Sequence, residues 1–281
     1  MKQSSIRIEA SAARVLLFEE VYPARAAQEQ AEKSKLNAFG ALARLNPLNR
    51  PKPDTVLLSK WELRYEPFWH VVARRDVDFT HDATYVLPVA NPHAQRLDIG
   101  GQVYPVLSRE KKPHIELPAR ERCLRRVDTA VFQDGMKREV KSTVLQRYVD
   151  KYQATEQEQL DRDGLLQPLL SSSAAAQIAL SRLGSEAIDA SEMHDDTVTI
   201  EKLHLYYRPV FAFEYTWGGA GKVGVVEVDG LTGDVVELGQ WFREKLGGMV
   251  TRDLLVDIGA DAISMAIPGG SIAVKVINRL V

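Results

Sequence analysis

The sequence predicts an α+β protein made of two related units, each a helix followed by an antiparallel β-meander, with an apolar helical hairpin at the C-terminus. Three observations carry that reading. Residues 203–238 (LHLYYRPVFAFEYTWGGAGKVGVVEVDGLTGDVVEL) have the pattern of three strands, residues 56–103 echo them, and residues 247–281 are far more apolar than the rest.

From 203 to 217 the chain is β-branched or aromatic almost throughout, which suits a pleated, half-buried surface better than a helix. Leu203, Leu205, Tyr207, Pro209, Phe211, Phe213 and Tyr215 recur at period two and so share one face. Pro209 has no N–H to give a ladder, which marks an edge or a bend. Gly218, Gly219 and Gly221 form a turn, and 222–228 is a second strand. Asp229-Gly230-Leu231-Thr232-Gly233 is a tight hairpin in which the Asp229 carboxylate can accept backbone N–H bonds, and 234–238 returns as a third strand.

Residues 226–236, VEVDGLTGDVV, resemble the closing hairpin of PepSY-like α+β modules, whose last strands often end in a D-x-x-T-G turn. That resemblance implies a small module linked to peptidase inhibition or regulation.

Aligning Pro67 with Pro209 sets Leu63 against Leu205, Tyr65 against Tyr207, Trp69 against Phe211 and Val71 against Phe213. Residues 97–103 then mirror 228–235. A helix is expected before each meander, over 24–45 after Pro23 and over 174–190 after the Ser171-Ser172-Ser173 cap, with another over 142–161. An internal duplication follows. The expected units are 1–108, 109–240 and a tail, 241–281.

In the tail, Asp253, Asp257 and Asp261 are four apart, Pro268-Gly269-Gly270 breaks the chain, and Lys275 and Arg279 are again four apart. Two helical arms folded about that break would pair Asp261 with Lys275 and Asp257 with Arg279. Ile263, Ile267, Ile272 and Val276 would remain on an apolar surface that must be buried against the meanders, a partner or a bilayer. Residues 271–280 are also rich in β-branched types. A strand there would dissolve the charge pairing.

The chain has 281 residues, 45% hydrophobic and 26% charged, which is ordinary globular composition. A net charge of -2 gives no overall pull toward nucleic acid or an anionic membrane. One cysteine, Cys123, excludes an intramolecular disulfide and a cysteine-based zinc site. The basic stretch 108–126 lacks aromatic residues that stack on bases and reads as a solvated linker and helix surface. His70, His81 and His93, with Asp76, Asp78 and Asp82, match no compact metal framework. Gly218–Lys222 lacks the phosphate-loop spacing. His204 is out of phase with the apolar face of its strand and is expected in solvent. No metal and no cofactor is expected.

The functional expectation is a non-enzymatic binding or assembly protein. Its binding residues would be Tyr65, Trp69, Tyr207 and Phe211 on an aromatic sheet, with Ile263, Ile267, Ile272 and Val276 in the tail. The partner would be another protein or a second copy of the chain. The first apolar run, 15–18, is too short for a signal-peptide core, so a cytoplasmic location is expected. A membrane-docked protein acting through the tail is one alternative. A hydrolase using Asp76, His81, Asp82, Glu214 or Glu227 is the other.

Overall fold

The computed structural model describes residues 5–9, 11–41, 43, 50–109, 112–242, 250–251 and 273–276. Two short strands, β1 (Ser5–Ile8) and β2 (Ala13–Phe18), precede helix α1 (Ala24–Ser34) and a 3-10 turn (Lys35–Phe39). Next come β3 (Val56–Pro88), β4 (Arg96–Ile99), β5 (Gln102–Pro105), β6 (Leu107–Arg109) and β7 (Lys112–Asp134). Helix α2 (Ser142–Lys151), β8 (Ala154–Gln157), β9 (Gln159–Leu160) and helix α3 (Ser172–Gly184) lead to β10 (Glu192–Trp217). The chain continues through β11 (Lys222–Asp229), β12 (Val235–Val236), β13 (Val250–Thr251) and β14 (Ala273–Val276).

These strands build one large mixed sheet, and the two meander units expected from the sequence are not its plan. At its centre β10 pairs antiparallel with β3 along its whole length, from Glu192↔Thr80 to Trp217↔Val56. From Thr197 onward the opposite edge of β10 is lined by three strands in turn. Parallel β1 lies beside 197–200, parallel β2 beside 203–207, and antiparallel β11 beside 210–217. Strand β3 continues past the end of β10 and stays paired with β7 as far as Pro88↔His114.

The echo between 63–71 and 205–213 has a different meaning from duplication of separate meanders. The two stretches are each other's partners: Pro67 lies opposite Tyr207 and Pro209 opposite Tyr65. Equivalent positions are therefore exchanged about a local pseudo-twofold axis within one sheet. The mirrored downstream turns also part company, because β4–β5 is a separate two-stranded sheet whereas β11–β12 belongs to the main one. The meander of 203–238 itself does form, with its third strand reduced to Val235–Val236.

Helices cover both faces of the sheet's body. On the front, α3 packs its Ala175, Ala176, Ala179 and Leu180 over Tyr65, Trp69, Val71, Leu205 and Tyr207. Ser171 caps this helix by accepting from the Ala174 N–H at 3.2 Å. Arg75 fixes its other end, bonding Asp196 (2.9 and 3.0 Å) and the carbonyls of Leu183 and Glu186 (3.2 and 3.3 Å). Also on the front, Ala27, Ala31 and Ala38 of α1 and the 3-10 turn sit on Phe211, Phe213, Tyr215 and Val226. On the back, Leu145 and Tyr148 of α2 cover Phe18, Phe68, Phe132 and Tyr206.

The helical hairpin of the tail is likewise corrected. Val250–Thr251 pairs with β9, and Ala273–Val276 is a strand parallel to β1, with Lys275 opposite Arg7 and Val276 opposite Ile8. Lys275 thus stands on a strand, as its β-branched neighbours favour. Asp257, Asp261, Ile263, Ile267, Ile272 and Arg279 lie outside the described residues.

Candidate functional site

Back-face side chains of β3, β10 and β11 meet in a buried ionic cluster. Alternation along β3 puts Arg64 and Glu66 on that face, with Phe68 and His70 beyond them, and register brings Arg208 opposite Glu66. Glu66 and Arg64 are fully buried. One Glu66 oxygen accepts from Arg64 Nε (2.9 Å) and Nη2 (2.7 Å), and the other from Arg138 Nη2 (2.5 Å) and Arg208 Nη2 (2.7 Å). Arg64 also reaches Glu227 (2.7 Å) and the Gln240 carbonyl (2.7 Å), and lies over the Phe242 ring at 4.8 Å.

Arg138 arrives by a turn that leaves β7. Asp134 accepts the Met136 and Arg138 N–H groups (3.1 and 2.9 Å) as well as the Arg138 guanidinium. Gly135 is needed there, since a Cβ would sit 2.6 Å from the Pro67 carbonyl oxygen. The hairpin aspartate closes the far side. Asp229 Oδ1 accepts the Leu231 and Thr232 N–H groups (2.8 and 3.0 Å), while Oδ2 takes Arg208 and the Tyr148 hydroxyl, the latter at 2.7 Å.

Burial alone would raise the Glu66 carboxyl, but the guanidiniums of Arg208, Arg64 and Arg138 outweigh it and hold the value at about 2. Arg138 and Arg208 are pushed above the ordinary arginine value, the carboxylates around them overcoming desolvation. Glu66, Arg138 and Arg208 are thus held in their charged forms near neutral pH, each bonded within the protein. The cluster fixes which rows of β3, β10, β11 and α2 align.

One step along the same face, His70 lies directly opposite His204, their rings edge to face at 6.0 Å, and His70 stacks on Phe132 at 4.1 Å. Both are buried, which corrects the expectation of a solvent-facing His204: the back face is covered as well as the front. Burial brings each imidazole down to about 4, helped by Lys202. Both rings are neutral at pH 7.

Beyond Thr80 the sheet narrows to the β3–β7 ribbon. From the last positions beside β10 into the ribbon, the back faces of β3 and β7 carry a ladder of ion pairs: Arg126–Asp76 (2.8 Å), Arg122–Asp78 (2.6 Å) and Arg120–Asp82 (3.0 Å). The basic stretch is therefore strand, not linker and helix. Apolar groups stand in water along the ribbon, with Tyr85 46%, Val86 61% and Leu124 81% exposed. The outer edge of β7 meets β6 only at 112–114, and the 169–170 segment bonds Gly135 at the other end. Between them, 115–131 has no strand beside it among the described residues.

The four aromatic residues singled out from the sequence are in the front core, with Tyr65 1%, Trp69 2%, Tyr207 0% and Phe211 2% exposed. Trp69 donates its indole N–H to Leu170 O at 2.8 Å. Tyr65 donates to Glu20, and burial raises its hydroxyl. Glu227 belongs to the ionic cluster, whereas Glu214 pairs with Lys60 at 3.3 Å. Among the described residues no group of three or more His, Cys, Asp or Glu is placed to hold a metal ion, and no helix is long and apolar enough to cross a membrane.

Sequence reasoning passed over Arg64, Glu66, Arg138 and Arg208. A signal was there: Tyr65-Glu66-Pro67 aligns with Tyr207-Arg208-Pro209, opposite charges at equivalent places beside two prolines. Comparison with protein-family models, curated proteins and solved structures finds no match to this chain.

Proposed function

We propose that this is a non-enzymatic binding or assembly protein that takes up an extended partner strand along the outer edge of β7. The observation that supports it most is the edge at 115–131, which among the described residues has no strand beside it, on a strand of 23 residues whose other edge is paired with β3. A long edge presents a row of backbone donors and acceptors, and strand addition satisfies them. Pockets between alternate side chains would supply selectivity. The aromatic core and ionic cluster serve this reading as the rigid body from which the ribbon projects. Glu66, fully buried and held at about 2 by three guanidiniums, is poorly suited to act as a general acid or base.

Hydrogen exchange tests the reading. Edge amides within 115–131 exchange quickly in dilute purified protein and slow markedly on strand addition, at high protein concentration or in extract. Equal, fast exchange of those amides under every condition would overturn it.

A further inference from the structure

We propose that His70 and His204 form a binding site for a single copper(I) ion on the back face of the sheet. The site stands apart from the edge of β7 and does not rest on the strand-addition reading.

Four adjacent strands place Arg14, His204, His70 and Phe132 in one row across the back face. The two histidines are directly opposed, and only 7% and 9% of their surfaces reach solvent. The Nδ1 atom of each is buried without a hydrogen-bond partner, an uncommon state for a ring nitrogen. With its proton on Nε2, each ring presents a free lone pair at that atom. Stacking on Phe132 holds the His70 ring in place.

The spacing suits a shared ion. A metal–nitrogen bond of about 2 Å sets two ring centres about 5 Å apart at a tetrahedral angle and about 6.3 Å apart in a line. The observed 6.0 Å lies near the linear limit, the geometry of an ion with few ligands.

Charge then selects the ion. Lys202 stands two residues before His204, and Arg14 lies opposite it, paired with Glu156 at 3.0 Å. Positive neighbours oppose a dication about twice as strongly as a monocation. Imidazole nitrogen suits copper, whereas calcium and magnesium demand oxygen. Both rings are neutral at pH 7, so no proton competes for the lone pairs.

The test is anaerobic titration of the full-length Cys123→Ser protein, which lacks the one thiol, with copper(I) against a chromogenic chelator. One ion per chain should bind, with X-ray absorption showing two histidine nitrogens at about 2 Å. His70→Gln and His204→Gln should each weaken binding about a hundredfold, and His81→Gln not at all. Affinity should stay level from about pH 8 to about 5.5, whereas a site of surface histidines fades below about 6.5. Should a variant fail to fold, imidazole nitrogen resonances of the Cys123→Ser protein decide. Copper(I) should shift together the two histidines that lie beside Tyr206. Uptake that leaves those two unmoved, or no uptake tighter than the exposed histidines provide, would overturn the site. Zinc held there in preference to copper(I) would overturn the choice of ion.

Discussion

Residues 63–71 of β3 lie against β10, and from Phe68 against β7 as well, with helices over both faces; residues 81–88 keep β7 alone and have water on both sides. The backbone ladder continues unbroken from one region into the other. The side chains change completely, from Trp69, Phe68 and a buried four-way carboxylate to Asp82, Tyr85 and Val86 in solvent. Pairing therefore settles where a strand runs, and cover on its faces settles how firmly it is held. A two-stranded ribbon alone is marginal in water. This one extends from a body that is not.

The largest contrast should come from Glu66→Ala. It leaves three guanidiniums buried against too little negative charge and should destabilise the protein by about 3–5 kcal/mol in urea unfolding. Loss below about 1 kcal/mol would mean that the cluster does not hold the body together.

Acid should act next, and in order. His70 and His204 sit at about 4 in the folded protein against 6.5 when free. Their stabilisation is complete above pH 6.5 and is lost as pH falls through 4, because the unfolded chain binds those protons more readily. Together they should lower stability by about 3–6 kcal/mol between pH 7 and 4. Glu66 contributes above its ordinary 4.5 and loses that contribution as pH falls toward 2. His70→Phe should flatten the first phase by about half and leave the second intact. An unchanged slope between pH 6.5 and 4 would show that other groups set it.

Trp69→Phe, which forfeits the bond to Leu170 and part of the ring volume, should cost about 2 kcal/mol in the same unfolding assay. On the ribbon, Arg122→Ala removes an exposed pair and should change stability by less than about 1 kcal/mol. A cost on the ribbon as large as that of Trp69→Phe would erase the contrast between the two regions.

The same contrast explains what could be seen in the sequence. The hairpin at 229–233, the starts of α1, α2 and α3, and the period-two faces around Pro67 and Pro209 are local, and local chemistry announces them. The reach of β3 past Thr80 through His81, Asp82 and Thr84 was hidden, because a solvated ribbon needs no apolar face to mark it. Insertion of parallel β1 and β2 against β10 depends on edges far apart in the chain and leaves no local trace. The ionic cluster was hidden for a third reason. Its members occupy the positions that alternation assigns to water, and helix α2, the turn carrying Arg138 and the segment carrying Gln240 and Phe242 turn that face inward.

Since β10 sits between β3 and the trio β1, β2 and β11, a ribosome finishes the first three strands of that set long before it makes the strand they share. A nascent chain ending near Ser191 has β1, β2 and the β10-facing edge of β3 all awaiting their partner. Such a chain holds much of the apolar sequence of the front core with nothing to close it, the state in which strands find wrong neighbours. Arrival of 192–217, with β11 close behind it, would complete the body. Folding of this protein during synthesis should therefore be late and abrupt, with the ribbon already paired by local contact before the body exists.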